Sequence, residues 1–91
     1  MSSVRLIITG RVQGVGYRVA FARKATELRL DGWVRNRRDG TVEALVAGDA
    51  DAVQQIIDWS WQGPRAASVT DVAVTAEETA VTSGFDVVAD A

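Results

Sequence analysis

The apolar residues of this chain fall into short blocks of two periods. Val4 to Thr9 is apolar and β-branched and Gly10 follows it, the pattern of a buried strand. From Arg18 to Leu30 there is no Gly or Pro. Ala22, Ala25 and Leu28 recur there among Arg23, Lys24, Glu27 and Arg29, which predicts an amphipathic helix ended by Asp31-Gly32. Trp33 to Arg37 and Thr41 to Ala47 read as strands joined by an Asp39-Gly40 hairpin turn. Asp49 is placed to cap a second helix over Ala50 to Gln62. Its stripe of Val53, Ile56, Ile57 and Ser60 has i, i+3, i+4, i+7 spacing, and Gly63-Pro64 stops it. Val69 to Ala76 alternates through Val72, Val74 and Ala76 as a further strand, and Phe85 to Ala89 reads as a short last one.

The resulting order is β-α-β-β-α-β with a fifth strand at the end. This predicts an α+β two-layer sandwich of the ferredoxin-like split βαβ type: an antiparallel sheet of four strands plus a short fifth, with two helices on one face. Residues 1–91 are expected to form a single domain. The fold hosts many unrelated functions and decides none of them.

Composition narrows the chemistry. The chain is 47% hydrophobic and 24% charged, as a globular domain is, and it contains no Cys and no His. Disulfides, thiolate metal sites, thiol nucleophiles and histidine bases are therefore excluded. Residues 1–40 carry nine cations and three anions, whereas residues 41–91 carry one cation and nine anions. The split points either to an anionic partner for the first half or to two faces that neutralise each other. The longest early apolar run, Leu6-Ile7-Ile8, falls short of the ~7–15 residues of a signal-peptide core. No stretch approaches the ~20 apolar residues of a membrane span. The expectation is a cytoplasmic monomer without membrane contact.

The loop from Gly10 to Arg18 joins the first strand to the first helix, where free N–H groups and the positive end of the helix dipole lie. Gly14 and Gly16 permit backbone angles that turn successive amides toward one point, a nest for an anion. Arg18, in the first helical turn, can grip two phosphate oxygens with a planar fork. The loop lacks the Gly-Lys-Ser/Thr ending of a Walker A motif, and Val19 breaks a GxGxxG fingerprint. Taken alone, it is equally a turn followed by a surface arginine. Topology adds a second element. The first and second strands of a split βαβ unit run parallel about two strand spacings, roughly 10 Å, apart. Asn36 lies near the end of the second strand. It shares a face with Val34, so a core position for Val34 puts Asn36 on the helix-covered side beside the loop.

Two blocks now carry a resemblance. Gly10-Arg11-Val12-Gln13-Gly14-Val15-Gly16-Tyr17-Arg18 resembles the first signature of the acylphosphatases, and the run from Gly32 through Asn36 to Glu43 and Gly48 resembles the second. Gly63-Pro64, Ala67, Val69 and Phe85 are also similar to that family's pattern, so the likeness spans nearly the whole chain. The resemblance implies hydrolysis of the carboxyl–phosphate bond of acyl phosphates on a ferredoxin-like fold. It implies Arg18 as the catalytic phosphate-binding arginine and Asn36 as the residue that orients the attacking water. It further implies that the backbone amides of Gly14, Val15, Gly16, Tyr17 and Arg18 form the phosphate cradle. There are three departures. Tyr17 stands where Phe is usual, which would add a hydroxyl beside the site. Arg37 after Asn36 would make the site more basic. The tail from Phe85 to Ala91 lacks a basic and aromatic ending, which puts a contact between the C-terminus and Arg18 in question.

The missing side chains fit this reaction. The leaving group is a carboxylate whose conjugate acid has a pKa of about 4–5, so no proton donor is required. Phosphoryl transfer is largely dissociative and needs positioning and charge stabilisation, which a guanidinium and a ring of amides supply without a cofactor or metal. The expected partners are a small-molecule acyl phosphate and inorganic phosphate, with Arg35, Arg37 and Arg38 drawing in the anion. Asp49, Asp51 and Asp58 read as helix-start and surface carboxylates rather than metal ligands. No serine has a base to activate it. The alternatives are a non-catalytic or carbamoyl-phosphate-handling anion module and a small RNA-binding domain using Trp33 with Arg35, Arg37 and Arg38. No aromatic-rich RNP1 block accompanies the latter, so no nucleic acid is expected.

Overall fold

The computed structural model describes residues 2–79 and 81–91. Its elements are β1 (Ser2–Arg11), α1 (Tyr17–Glu27), β2 (Asp31–Asn36), β3 (Val42–Gly48), α2 (Ala50–Gln62), β4 (Ser68–Ala76) and β5 (Phe85–Val87). The strands form one sheet in the order β4-β1-β3-β2-β5. β1 and β2 each pair antiparallel with β3 and so run parallel to each other on either side of it. β4 is antiparallel to β1, while β5 joins β2 in parallel and makes that edge of the sheet mixed. This is the ferredoxin-like α+β arrangement predicted by the sequence.

The core lies between the helices and one sheet face. Leu6 and Ile8 of β1, Val34 of β2, and Val42, Ala44 and Val46 of β3 are fully buried there against Phe21 and Ile56. The second helix matches its expected span. Asp49 caps it by accepting from the Asp51 amide at 3.1 Å. Trp59 packs against the rings of Tyr17 and Phe21, with centroids 5.7 and 5.8 Å away. Trp61 is exposed. Among the described residues, no helix is long and apolar enough to cross a membrane.

Three details depart from the sequence pattern. β1 does not stop before Gly10. It runs on to Arg11 across a register shift against β4, so the connecting loop is shorter than expected. α1 ends at Glu27 rather than Leu30. The Leu30 amide donates to the Ala25 carbonyl at 2.9 Å and the Arg29 amide to Thr26 at 3.0 Å, with Arg29 at φ 60°. This is a Schellman closure with arginine in the left-handed position that glycine usually takes. Asp31-Gly32, expected to end the helix, instead opens β2 opposite Ala47 and Val46. The buried face of α1 is Tyr17, Phe21 and Ala25, with Ala22 and Leu28 at its margin.

The sheet face without helices is sealed by charge. Glu43 of β3 is nearly buried and accepts from both Arg5 and Arg35, while Arg5 also reaches Glu77 at 2.8 Å. The Arg35 guanidinium lies 4.7 Å from the centre of the Trp33 ring. Leu45, opposite Arg5 and Trp33 in the ladder, is buried on this face.

Candidate active site

The loop between β1 and α1 and the end of β2 meet at the same end of the sheet, as the parallel course of β1 and β2 requires. Gly14 has φ 74° and Gly16 φ 79°, both in the left-handed region where L side chains are strained, and a Cβ at either would meet open space. Glycine is thus required here by backbone conformation and not by crowding. Gly16 is the N-cap of α1, without a side-chain cap, and no acidic residue occupies the first turn. The first helical bond runs from the Ala20 amide to the Gly16 carbonyl. The amides of residues 14–19 find no acceptor among the described residues. These donors gather at the positive end of the helix dipole, an arrangement suited to an anion.

Gln13 fixes this loop to the β2–β3 hairpin. Its Nε2 donates to the carbonyls of Arg37 at 2.8 Å and Thr41 at 2.9 Å, across the pair that closes the turn. The loop is thereby held to the residue following Asn36. Sequence reading quoted Gln13 within the motif but gave it no part, because nothing in the pattern tells where its amide points.

Asn36 stands where the alternation predicts. Gly32, Val34 and Asn36 form the buried face of β2, and Asn36 is 9% exposed. Its Oδ1 is buried and has no hydrogen-bond partner among the described residues. An unpaired buried acceptor costs about 1–3 kcal/mol, so it is a feature to be explained and not a neutral detail.

Arg18 lies on the flank of α1 toward the C-terminal tail. Its Nη1 is 3.3 Å from Oδ1 of Asp90. The next residue, Ala91, donates its amide to the Asn36 carbonyl at 3.0 Å. Two consecutive tail residues therefore touch Arg18 and Asn36, which brings the two predicted residues to one place. The tail does reach Arg18, through an aspartate that no sequence signal singled out.

Two other expectations are corrected. The Tyr17 side chain turns into the core, not toward the loop: its hydroxyl donates to the Ser60 carbonyl at 2.7 Å, and burial pushes its pKa upward. Only its backbone is available to the site. Arg35 projects onto the opposite sheet face, tied to Glu43, and Arg37 lies 3.8 Å from Asp39. Part of the charge split is internal neutralisation, since Arg5, Arg18 and Arg35 pair with acids of the second half.

Comparison with known proteins shows the family. The family model described as Acylphosphatase matches residues 4–87. The acylphosphatase of Acidiphilium cryptum (strain JF-5) is 51% identical over 85 residues, 93% of this chain and 93% of that protein. The acylphosphatase of Thermococcus kodakarensis is 52% identical over 83 residues, 91% of each. The crystal structure of acylphosphatase from Bacillus subtilis superposes with a TM-score of 0.91 at 38% identity, over 97% of this chain and 99% of that one.

Proposed function

The chain belongs to the acylphosphatase family and hydrolyses the carboxyl–phosphate bond of acyl phosphates; from that premise we propose that Arg18, Asn36 and the amides of residues 14–18 carry the reaction. The observation that supports this most is the orphaned Oδ1 of Asn36, buried beside a loop of unpaired amide donors. A carboxamide offers an acceptor and two donors, which suits it to orienting a water molecule against a bound phosphoryl group.

The phosphoryl oxygens sit in the amides of Gly14, Val15, Gly16, Tyr17 and Arg18, and the Arg18 guanidinium spans two of them. Asn36 Oδ1 accepts from the water and aligns its oxygen with phosphorus. The water oxygen forms the new P–O bond as the bond from phosphorus to the acyl oxygen breaks, and that bond's electrons leave with the carboxylate. The water's proton passes to a phosphate oxygen, giving carboxylate and inorganic phosphate. Arginine and oriented amides stabilise charge on the equatorial oxygens throughout. The leaving group needs no acid, so the absence of His and Cys costs the reaction nothing.

We further infer a cytoplasmic monomer acting on small-molecule acyl phosphates without cofactor, metal or nucleic acid. The cysteine-free sequence and the charge-sealed open face of the sheet support this reading, since the Trp33 and Arg35 surface is occupied by its own ion pairs. The test is hydrolysis of benzoyl phosphate with EDTA present. Activity should persist, and Arg18→Ala should lose phosphate affinity and turnover together. A strict metal requirement, or an Arg18→Ala variant with normal inhibition by phosphate, would overturn the proposal.

A further inference from the structure

We propose that Asp90 is an internal counter-anion of the phosphate site, competing with phosphate for Arg18 and so setting how tightly product is held; this rests on Arg18 being the phosphate-binding side chain. The contact is built by strand register. Past β5 the tail goes on pairing with β2, and the Val88 amide donates to the Val34 carbonyl at 3.0 Å. In a regular parallel ladder, residue 90 would next donate to the Asn36 carbonyl. Ala91 does so instead, at 3.0 Å, so one extra residue is inserted. In the unbulged ladder, alternation from Val87 would turn Asp90 to the open face of the sheet, with Asp86. The inserted residue frees Asp90 to turn to the helix side, where it meets Arg18. Bulges commonly re-aim side chains in this way.

Exposure indicates what the pair does. The side chains of Arg18 and Asp90 are 35% and 63% exposed, and a single Nη1–Oδ1 contact joins them. Such a pair adds little to stability and opens readily. Phosphate and Asp90 compete for the same guanidinium, and the displaced carboxylate remains close to the bound dianion. Arg35 does not relieve that repulsion, because Glu43 holds it across the sheet, and Arg37 is drawn toward Asp39. Asp90 therefore weakens the hold on phosphate and favours its release.

The experiment measures the inhibition constant of inorganic phosphate against benzoyl phosphate hydrolysis in wild type, Asp90→Asn and Asp86→Asn. Asp86 of β5 lies opposite Trp33 of β2 and supplies the same charge change on the other face. Asp90→Asn should lower the inhibition constant and KM together by about two- to fivefold, the scale of an exposed ion pair. Asp86→Asn should leave both near wild type. An unchanged or raised inhibition constant in Asp90→Asn, or an equal shift in Asp86→Asn, overturns the inference and leaves the role of Arg18 intact. Phosphate inhibition that survives Arg18→Ala overturns both.

Discussion

The Tyr17 hydroxyl donates to the Ser60 carbonyl at 2.7 Å, joining the first turn of α1 to the last turn of α2. Ser60 is among the final carbonyls of its helix, which have no partner within the helix. Tyr17 thus satisfies an orphan acceptor while its ring packs on Phe21 and Trp59. Tyr17→Phe should cost about 1 kcal/mol in urea unfolding and leave kcat unchanged. The same substitution should alter the alkaline limb. Burial raises the Tyr17 pKa above its ordinary 10, so the folded state keeps a proton that the unfolded chain gives up. The stabilisation is fully present below pH 10 and is lost as pH rises beyond it, and Tyr17→Phe should flatten that fall.

Arg29 closes α1 at φ 60°, a conformation that costs an L residue roughly 1–2 kcal/mol and glycine almost nothing. Glycine's extra freedom in the unfolded chain offsets part of the gain. Arg29→Gly should therefore raise stability by about 0.5–1 kcal/mol, read as a higher urea midpoint at unchanged slope. A lower midpoint would mean that the arginine side chain makes a stabilising contact that outweighs its backbone strain.

Arg29 also shows where sequence reading reaches its limit. The ends of α2 were legible because Asp49 and Gly63-Pro64 mark them. The end of α1 was not, because its stop is made by backbone geometry at a residue that carries no stop signal. The face of Asn36 followed from the alternation through Val34, and the loop from its glycines. The direction of Tyr17 was hidden because the helical stripe was read from Ala22, Ala25 and Leu28, which left Tyr17 outside the helix and in the loop. Asp90 was hidden because its approach to Arg18 depends on one inserted residue in a ladder, and register is a property of two strands together.

With neither His nor Cys in the chain, no side chain has an ordinary pKa between about 5 and 8. The kcat for benzoyl phosphate should vary little across that range. Below it, stability should fall. The Thr79 hydroxyl and Arg5 hold the Glu77 carboxyl below its ordinary 4.5, so its contribution is present above that pH and lost as pH drops through the lower folded value. A sharp bell centred near neutrality would require a titrating base that the proposed site does not contain.

The most direct test of the account is Asn36→Ala, assayed with benzoyl phosphate alongside inhibition by inorganic phosphate. The proposed mechanism gives Asn36 the water, on the strength of its orphaned Oδ1, and Arg18 the phosphate. The variant should lose about 10²-fold or more in kcat, the scale of a misplaced reactant, while phosphate inhibits it as in wild type. A variant that turns over at the wild-type rate, or one whose defect lies wholly in phosphate binding, would contradict the assignment.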